Sequence, residues 1–143
     1  MIILDTNVVS ELLRPAPAAQ VEAWLSAQDG ANIYFTAVGE AELRHGVAIL
    51  PAGKRRTALF NAIEGILEED FRDRILPFDR PAARAYAAIA AERRAAGRPI
   101  SQFDCQIAAI ARACDVTVAT RNTDDFEDCG IDVIDPWRST GSS

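Results

Sequence analysis

The chain has 143 residues, of which 49% are hydrophobic and 25% charged, with 8 Gly and 7 Pro. That balance excludes a disordered, collagen-like or disulfide-scaffold protein. A single domain of this length buries roughly 70% of its unfolded surface and needs no metal or disulfide to hold it. The net charge of −6 disfavours a protein that grips nucleic acid by a broad basic face. It leaves open one that meets phosphate through cations held on its own carboxylates. No apolar run approaches the ~18–20 residues of a membrane span. The opening Met1-Ile2-Ile3-Leu4-Asp5 lacks the basic lead of a secretory signal. Cys105, Cys114 and Cys129 form no C-x-x-C pair, as expected of free thiols in a reducing cytoplasm.

Short apolar strands alternate with amphipathic helices along the chain. Ile2–Leu4 is a strand stopped by Asp5, and a helix-like segment runs from Asn7 to Leu13 until Arg14-Pro15-Ala16-Pro17 breaks it. Val21, Trp24 and Leu25 recur at helical spacing up to the Asp29-Gly30 turn. Ile33–Phe35 reads as a second strand, with Thr36 as N-cap of a helix reaching about Leu50. After the Pro51-Ala52-Gly53 turn, Thr57 to Leu67 forms a helix with Leu59, Ile63 and Ile66 or Leu67 inside. Ile75–Phe78 is a third strand ended by Asp79-Arg80-Pro81, and an Ala-rich helix follows to about Gly97. Ser101 opens a helix to about Cys114. Val116–Ala119 is a fourth strand and Val133-Ile134 a short fifth. Such alternation predicts a three-layer α/β/α domain over residues 1–138, with a mostly parallel sheet of four to five strands. Residues 139–143 read as a disordered tail.

Ligands of open parallel sheets bind at the carboxyl ends of the strands. Asp5 closes the first strand, so its carboxylate belongs at that rim, either as a helix N-cap or as a ligand. In the helix after Thr36, Val38, Leu43, Val47, Ile49 and Leu50 project onto one apolar arc. Glu42 falls inside that arc, while Glu40 lies at its edge and reads as a solvated acid. A buried carboxylate neutralises or finds a cation. Arg44, the nearest candidate, projects to the opposite face. In the next marked helix, Phe103, Ile107, Ile110, Ala111 and Cys114 form the inner stripe with Asp104 at its edge. Ser101-x-x-Asp104 resembles a capping box, so Asp104 is open to a capping or a ligand role. The loop Thr120-Arg121-Asn122-Thr123-Asp124-Asp125-Phe126 leaves the same rim. Carboxylates converging there at ~4 Å would repel by several kcal/mol per pair unless divalent cations neutralise them. Oxygen donors select Mg²⁺ or Mn²⁺ over Zn²⁺.

Other candidates read as structural. The cysteines fit no metal-ligand spacing. His45 projects off the apolar arc and reads as solvated, as do the basic clusters Lys54-Arg55-Arg56 and Arg93-Arg94. There is no Gly-rich phosphate loop.

The ordered set Leu4-Asp5-Thr6-Asn7-Val8, Ala41-Glu42-Leu43-Arg44-His45-Gly46, Phe103-Asp104-Cys105-Gln106-Ile107 and Ala119-Thr120-Arg121-Asn122 with Asp125-Phe126 resembles the PIN-domain ribonucleases. Within them it resembles the VapC-type toxins of bacterial toxin–antitoxin pairs, and Val133-Ile134-Asp135-Pro136-Trp137 looks like the family's end. The resemblance implies a PIN-like α/β/α fold and Mg²⁺-dependent hydrolysis of RNA phosphodiesters, with Mn²⁺ able to substitute. It implies Asp5 and Asp104 as principal metal ligands, with Glu42 completing the acidic pocket. Asn122 stands where the family often has Asp, so the fourth acid is open: Asn122 could ligate through its carbonyl or position a water, Asp124 could supply the missing charge, and Asp125 matches the family's Asp-Phe pair but could serve the loop's fold instead. Arg121 is a candidate guide for flanking phosphates. Implied partners are the RNA substrate, a second copy of the chain in a homodimer, and a small VapB-type antitoxin presenting an Arg to the acids.

Competing readings fail on particular residues. A phosphoryl-accepting receiver domain wants a lysine after a late strand, whereas Lys54 lies in a helical region. A haloacid-dehalogenase-type phosphatase wants Asp-x-Asp, and the chain has Asp5-Thr6-Asn7. A catalytically silent PIN-fold binding module, or a PIN nuclease acting outside a toxin–antitoxin pair, stays open.

Overall fold

In a computed structural model, which describes residues 1–138, five parallel strands form one sheet in the order β3-β2-β1-β4-β5. The strands are β1 (Ile2–Leu4), β2 (Ile33–Thr36), β3 (Ile75–Leu76), β4 (Thr117–Ala119) and β5 (Val133–Ile134). The helices are α1 (Thr6–Leu12), α2 (Ala19–Ser26), α3 (Ala37–Ala48), α4 (Lys54–Gly65), α5 (Arg80–Ala95) and α6 (Gln102–Cys114). The expected tail at 139–143 lies outside the described residues.

Strand alternation divides the core into two layers. Ile3 pairs with Tyr34 and Val118, and Val118 with Val133, and these side chains face α5 and α6. Leu4, Ala119, Phe35 and Ile134 face the other way, onto α1 to α4. The three-layer expectation is met, and the sheet is parallel throughout.

Several expected boundaries shift for local reasons. β3 ends at Leu76 rather than Phe78, because Pro77 has no N–H for the ladder. Phe78 instead turns edge-on to Tyr86. Helix α4 begins at Lys54, three residues before the expected start, and is prolonged by a π-helical turn over Ile66–Asp70. Ile49 is not on a buried arc: α3 stops at Ala48, so the helical projection no longer applies, and Ile49 is exposed. Phe103 and Cys114, expected inside, are exposed in the first turn and at the last residue of α6. Only the middle of that helix, Cys105 to Ala111 apart from Gln106, is buried.

Two features fix the elements that carry the acids. The chain runs outward from β1 through β2 to β3, then returns to the other side of β1 as β4. The β1–β4 boundary is therefore the topological switch point, where a crevice opens at the carboxyl ends. Helix α3 lies tight against β2 at Gly39, where an added Cβ would meet the buried Phe35 ring at 2.5 Å. Only glycine admits that approach, and it sets the height at which Glu42 emerges three residues later.

Candidate active site

Asp5 and Thr120 are the first residues beyond β1 and β4, the two strands of the switch point. Asp5 is 5% exposed. Its Oδ1 accepts from the Thr6 N–H at 2.8 Å at the start of α1, and its Oδ2 accepts from the Thr120 hydroxyl at 2.8 Å. The capping and rim readings of Asp5 are thus both satisfied by one side chain. Thr120, fully buried, also accepts from Asn7 Nδ2 at 3.2 Å and from the Asn122 N–H at 3.1 Å. One donor and two acceptors exhaust a hydroxyl, so Thr120 fixes Asp5, Asn7 and the Asn122 loop together.

Glu42 emerges from α3 half-buried, and its Oε1 accepts from the Thr6 hydroxyl at 2.6 Å. Arg44 does point away from it, pairing with Glu40 at 2.7 Å and with Glu64. Glu40 is therefore an ion-pair partner on another face rather than a merely solvated acid. Asp104 sits half-buried in the first turn of α6. Its backbone N–H donates to the Ser101 hydroxyl at 3.3 Å, which is the Ser half of the expected capping box. His45 is exposed, as expected.

These acids line one open pocket of about 530 Å³, with Thr6, Asn7, Ser10, Glu11, Arg14, Arg121, Asn122 and Trp137. Burial pushes the Asp5 carboxyl up from an ordinary 3.8 to about 6, and the charges of Asp104 and Glu42 push the same way against the Thr120 and Thr6 bonds. Asp104 is also raised, first by desolvation and then by the charge of Asp125. Asn122 lines the pocket, whereas Asp124 and Asp125 are both exposed and neither is among the lining residues. The short 3₁₀ turn Thr123–Phe126 is anchored by the buried Phe126.

Every donor at the acidic end of the pocket is an oxygen: three carboxylates, the Asn122 amide and the Thr6 hydroxyl. Among the described residues no three Asp, Glu, His or Cys side chains form a group that could hold an ion by themselves. Such a set suits a hard cation that takes one or two carboxylates and keeps several waters, which is how Mg²⁺ binds. These oxygen donors are of the type that suits Mg²⁺ or Mn²⁺ better than Zn²⁺.

Three residues near the site gave no signal in the sequence or a misleading one. Arg93, expected on a solvated face, is 6% exposed. It donates to the carbonyls of Arg98 (2.7 Å), Asp125 (3.0 Å) and Glu127 (2.9 Å), tying the start of the α5–α6 turn to the loop after β4. Glu11 is buried, accepts from the Ala18 N–H at 2.8 Å and pairs with Arg14 at 3.3 Å. Thr120 gives no polar signal at the end of an apolar strand. The spacing Arg14-Pro15 just after Glu11 was the available cue to the second.

The PIN domain family model matches residues 2–131. The chain belongs to the PIN family. Among PIN proteins it is 47% identical over 137 residues to the VapC ribonuclease Y4jK of Sinorhizobium fredii, covering 96% of this chain and 98% of that one. It is 44% identical over 137 residues to the toxin FitB of Neisseria gonorrhoeae, covering 96% and 99%. The crystal structure of FitAcB from Neisseria gonorrhoeae superposes with a TM-score of 0.91 at 43% identity, over 97% of this chain and 100% of that chain. The structure of FitAB bound to an IR36 DNA fragment is also similar, with a TM-score of 0.92 at 41% identity over 100% of both chains. No helix among the described residues of this PIN domain is long and apolar enough to cross a membrane.

Proposed function

We propose that this PIN protein is the ribonuclease toxin of a toxin–antitoxin pair, hydrolysing RNA phosphodiesters with Mg²⁺ held by one or two of the carboxylates of Asp5, Asp104 and Glu42 and completed by water. The observation that supports this is the convergence of those acids on one oxygen-lined pocket at the switch point, with Asp5 driven up to about 6 by burial and by its acidic neighbours. A buried carboxylate beside two others costs stability unless a cation joins it. Mg²⁺ bound there supplies a Lewis acid and an activated water, with Mn²⁺ as substitute. The chain's own contribution is orientation. Thr6 and Thr120 pin both oxygens of Asp5, and Thr6 aims Glu42. Asn122 offers a carbonyl where an acid is missing, and Asp124 and Asp125 are the acids that could restore its charge.

The antitoxin site in this reading is the apolar groove of about 660 Å³ between α1, α3 and α4, lined by Leu13, Leu43, Val47, Leu59 and Ile63 among others. It shares Thr6, Ser10, Arg14 and Glu42 with the acidic pocket. A segment lying in the groove reaches the acids and can present an arginine to them. A second copy of the chain completes the assembly.

The test is cleavage of RNA in Mg²⁺, in Mn²⁺ and in chelator. Asp5→Asn and Asp104→Asn should each cut the rate about 10²-fold or more. Full cleavage in chelator would overturn the metal reading. Absence of cleavage together with an unchanged melting temperature on adding Mg²⁺ would leave a silent binding module.

A further inference from the structure

The pocket that holds the acids has a second, basic part. Arg14 and Arg121 line it along with Trp137. The Arg121 guanidinium carbon lies 5.1 Å from the centroid of the Trp137 ring. A guanidinium held over an indole face is restrained by cation–π attraction and keeps N–H groups available to a ligand. Trp137 is itself held: its backbone N–H donates to Asp135 Oδ1 at 2.9 Å, and its ring packs against the core layer that contains Leu4 and Ala119. The Arg121 N–H donates to Asn7 Oδ1 at 3.4 Å, joining the backbone of this rim to the Thr120 hub. Buried Glu11 shares this lining: its carboxylate accepts from the Ala18 N–H and pairs with Arg14, and the charge of Arg121 also acts on it. No ion pair among the described residues joins Arg121 to a carboxylate.

We infer that Arg121, held over the Trp137 ring, and Arg14 form a clamp for the backbone phosphates of single-stranded RNA beside the phosphate at the acids. This rests on the ribonuclease reading above. A pocket lined by carboxylates and by two arginines, Arg14 paired with Glu11 and Arg121 without an ion-pair partner among the described residues, suits a polyanion that arrives with its own divalent ion. An acidic peptide would use the arginines alone. Because the arginines border the same 530 Å³ pocket as the acids, the phosphates they hold belong to adjoining nucleotides. A strand that threads in this way must be unpaired and unstacked, the usual target of RNA recognition by side chains. Arg121 contacts the substrate. Trp137 is a positioning residue that acts through Arg121.

The experiment measures anisotropy of a fluorescein-labelled single-stranded RNA oligonucleotide on the full chain, with Ca²⁺ as the divalent ion, over a range of KCl. Each phosphate contact on a single strand adds about 0.7 to the slope of log K against log salt. Arg121→Ala should lower that slope by about 0.7, and with Arg14→Ala by about 1.4. Arg121→Lys should keep the slope and lose affinity, since the charge stays and the guanidinium over the ring goes. Trp137→Leu should weaken binding like Arg121→Lys, and Trp137→Phe should restore it, a rescue that loss of folding alone would not give. Arg94→Ala, exposed on α5 away from the pocket, is the control and should leave the slope unchanged. An unchanged slope in Arg121→Ala, or an equal loss in Arg94→Ala, overturns the clamp while the ribonuclease reading stands. If the wild-type chain binds a poly-glutamate peptide and no RNA, the reading itself falls and the rim belongs to an acidic protein segment.

Discussion

The Thr120 hydroxyl donates to Asp5 Oδ2 at 2.8 Å across the β1–β4 boundary, joining the ends of two strands that lie 115 residues apart in sequence. That bond opposes the burial that raises the Asp5 carboxyl. It also spends the hydroxyl's one proton, so its two remaining contacts, from Asn7 and Asn122, are fixed by the same geometry. Thr120→Val removes all three. The expected result is a higher Asp5 pKa than about 6 and a higher Mg²⁺ concentration for half-maximal cleavage, with a stability loss of about 1.5–3 kcal/mol for the bond to a charged group. Carbon-detected NMR titration of the Asp5 carboxyl checks the first, and a Mg²⁺ titration of the rate checks the second. An Asp5 that titrates no higher in Thr120→Val would show that the bond does not restrain it.

The pH dependence of stability has a definite sign. Asp5 has a raised pKa in the folded state, so the folded chain binds more protons than the unfolded one between about pH 4 and 6. Stability from this group therefore falls as pH rises through that window, by about 3 kcal/mol for a shift from 3.8 to about 6. Asp5→Asn removes the dependence. Its amide nitrogen meets a Thr120 oxygen already accepting two bonds, which adds a cost independent of pH. Denaturant melts in chelator at about pH 4 and at neutral pH should show the mutant gaining relative to wild type at the higher value. A difference that stays constant across the range would mean Asp5 titrates normally.

The face assignment on α3 has its own test. Glu42→Gln removes a carboxylate from the pocket and should lower RNA cleavage, whereas Glu40→Gln loosens a half-exposed pair with Arg44 and should cost at most ~1 kcal/mol of stability with the rate unchanged. Rates measured side by side at saturating Mg²⁺ decide it. Equal losses at the two positions would sink the assignment.

For the missing acid, Asp124 and Asp125 are both open to supply the compensating charge, and Asp125 is the one whose charge acts on Asp104. Asp125→Asn should relax Asp104 toward its ordinary range and raise the Mg²⁺ needed for half-maximal activity. Both residues are exposed and outside the pocket lining, but the charge of Asp124 is not among those acting on Asp104, so Asp124→Asn should do less. The reverse order in a Mg²⁺ titration would restore Asp124 as the ligand.

What the sequence showed and what it hid divide along physical lines. Strand and helix order was legible because apolar periods of two and near four survive any packing, and Asp5, Glu42 and Asp104 stood out against them. Phe103 and Ile49 were misplaced because a helical projection assumes that the helix and its cover both continue. The Thr120 hub and the burial of Arg93 were illegible for a different reason. A threonine at a strand end and an arginine in an Ala-rich helix are each ordinary, and their meaning comes from carbonyls and hydroxyls contributed by distant segments. The value of Gly39 was hidden likewise, since nothing local says that Phe35 lies beneath it.

Arg93 gives the sharpest stability prediction. It is a buried guanidinium whose hydrogen bonds go to backbone carbonyls: Arg98 on one side, Asp125 and Glu127 on the other, with Cys129 Sγ at 3.7 Å. Arg93→Met keeps the apolar stem and leaves three carbonyls without their donor, which should cost about 3–5 kcal/mol, the scale of breaking a buried charged network. Arg93→Lys keeps the charge but has no fork to span carbonyls on two segments, so it should recover only part of that loss. The loop after β4 carries Asn122 and Asp125, so loosening it should also raise the Mg²⁺ midpoint and speed amide exchange across that loop before the rest of the chain. Arg98 supplies a milder probe, since it joins the same loop from outside through Glu127 and Asp128 at 2.8 Å each. Arg98→Ala should cost at most ~1 kcal/mol, as exposed pairs do, and should shift loop exchange in the same direction with the global melting temperature little changed. If exchange in the loop stays at the wild-type rate in both Arg98→Ala and Arg93→Lys, the guanidinium does not hold it, and the burial of Arg93 needs another cause.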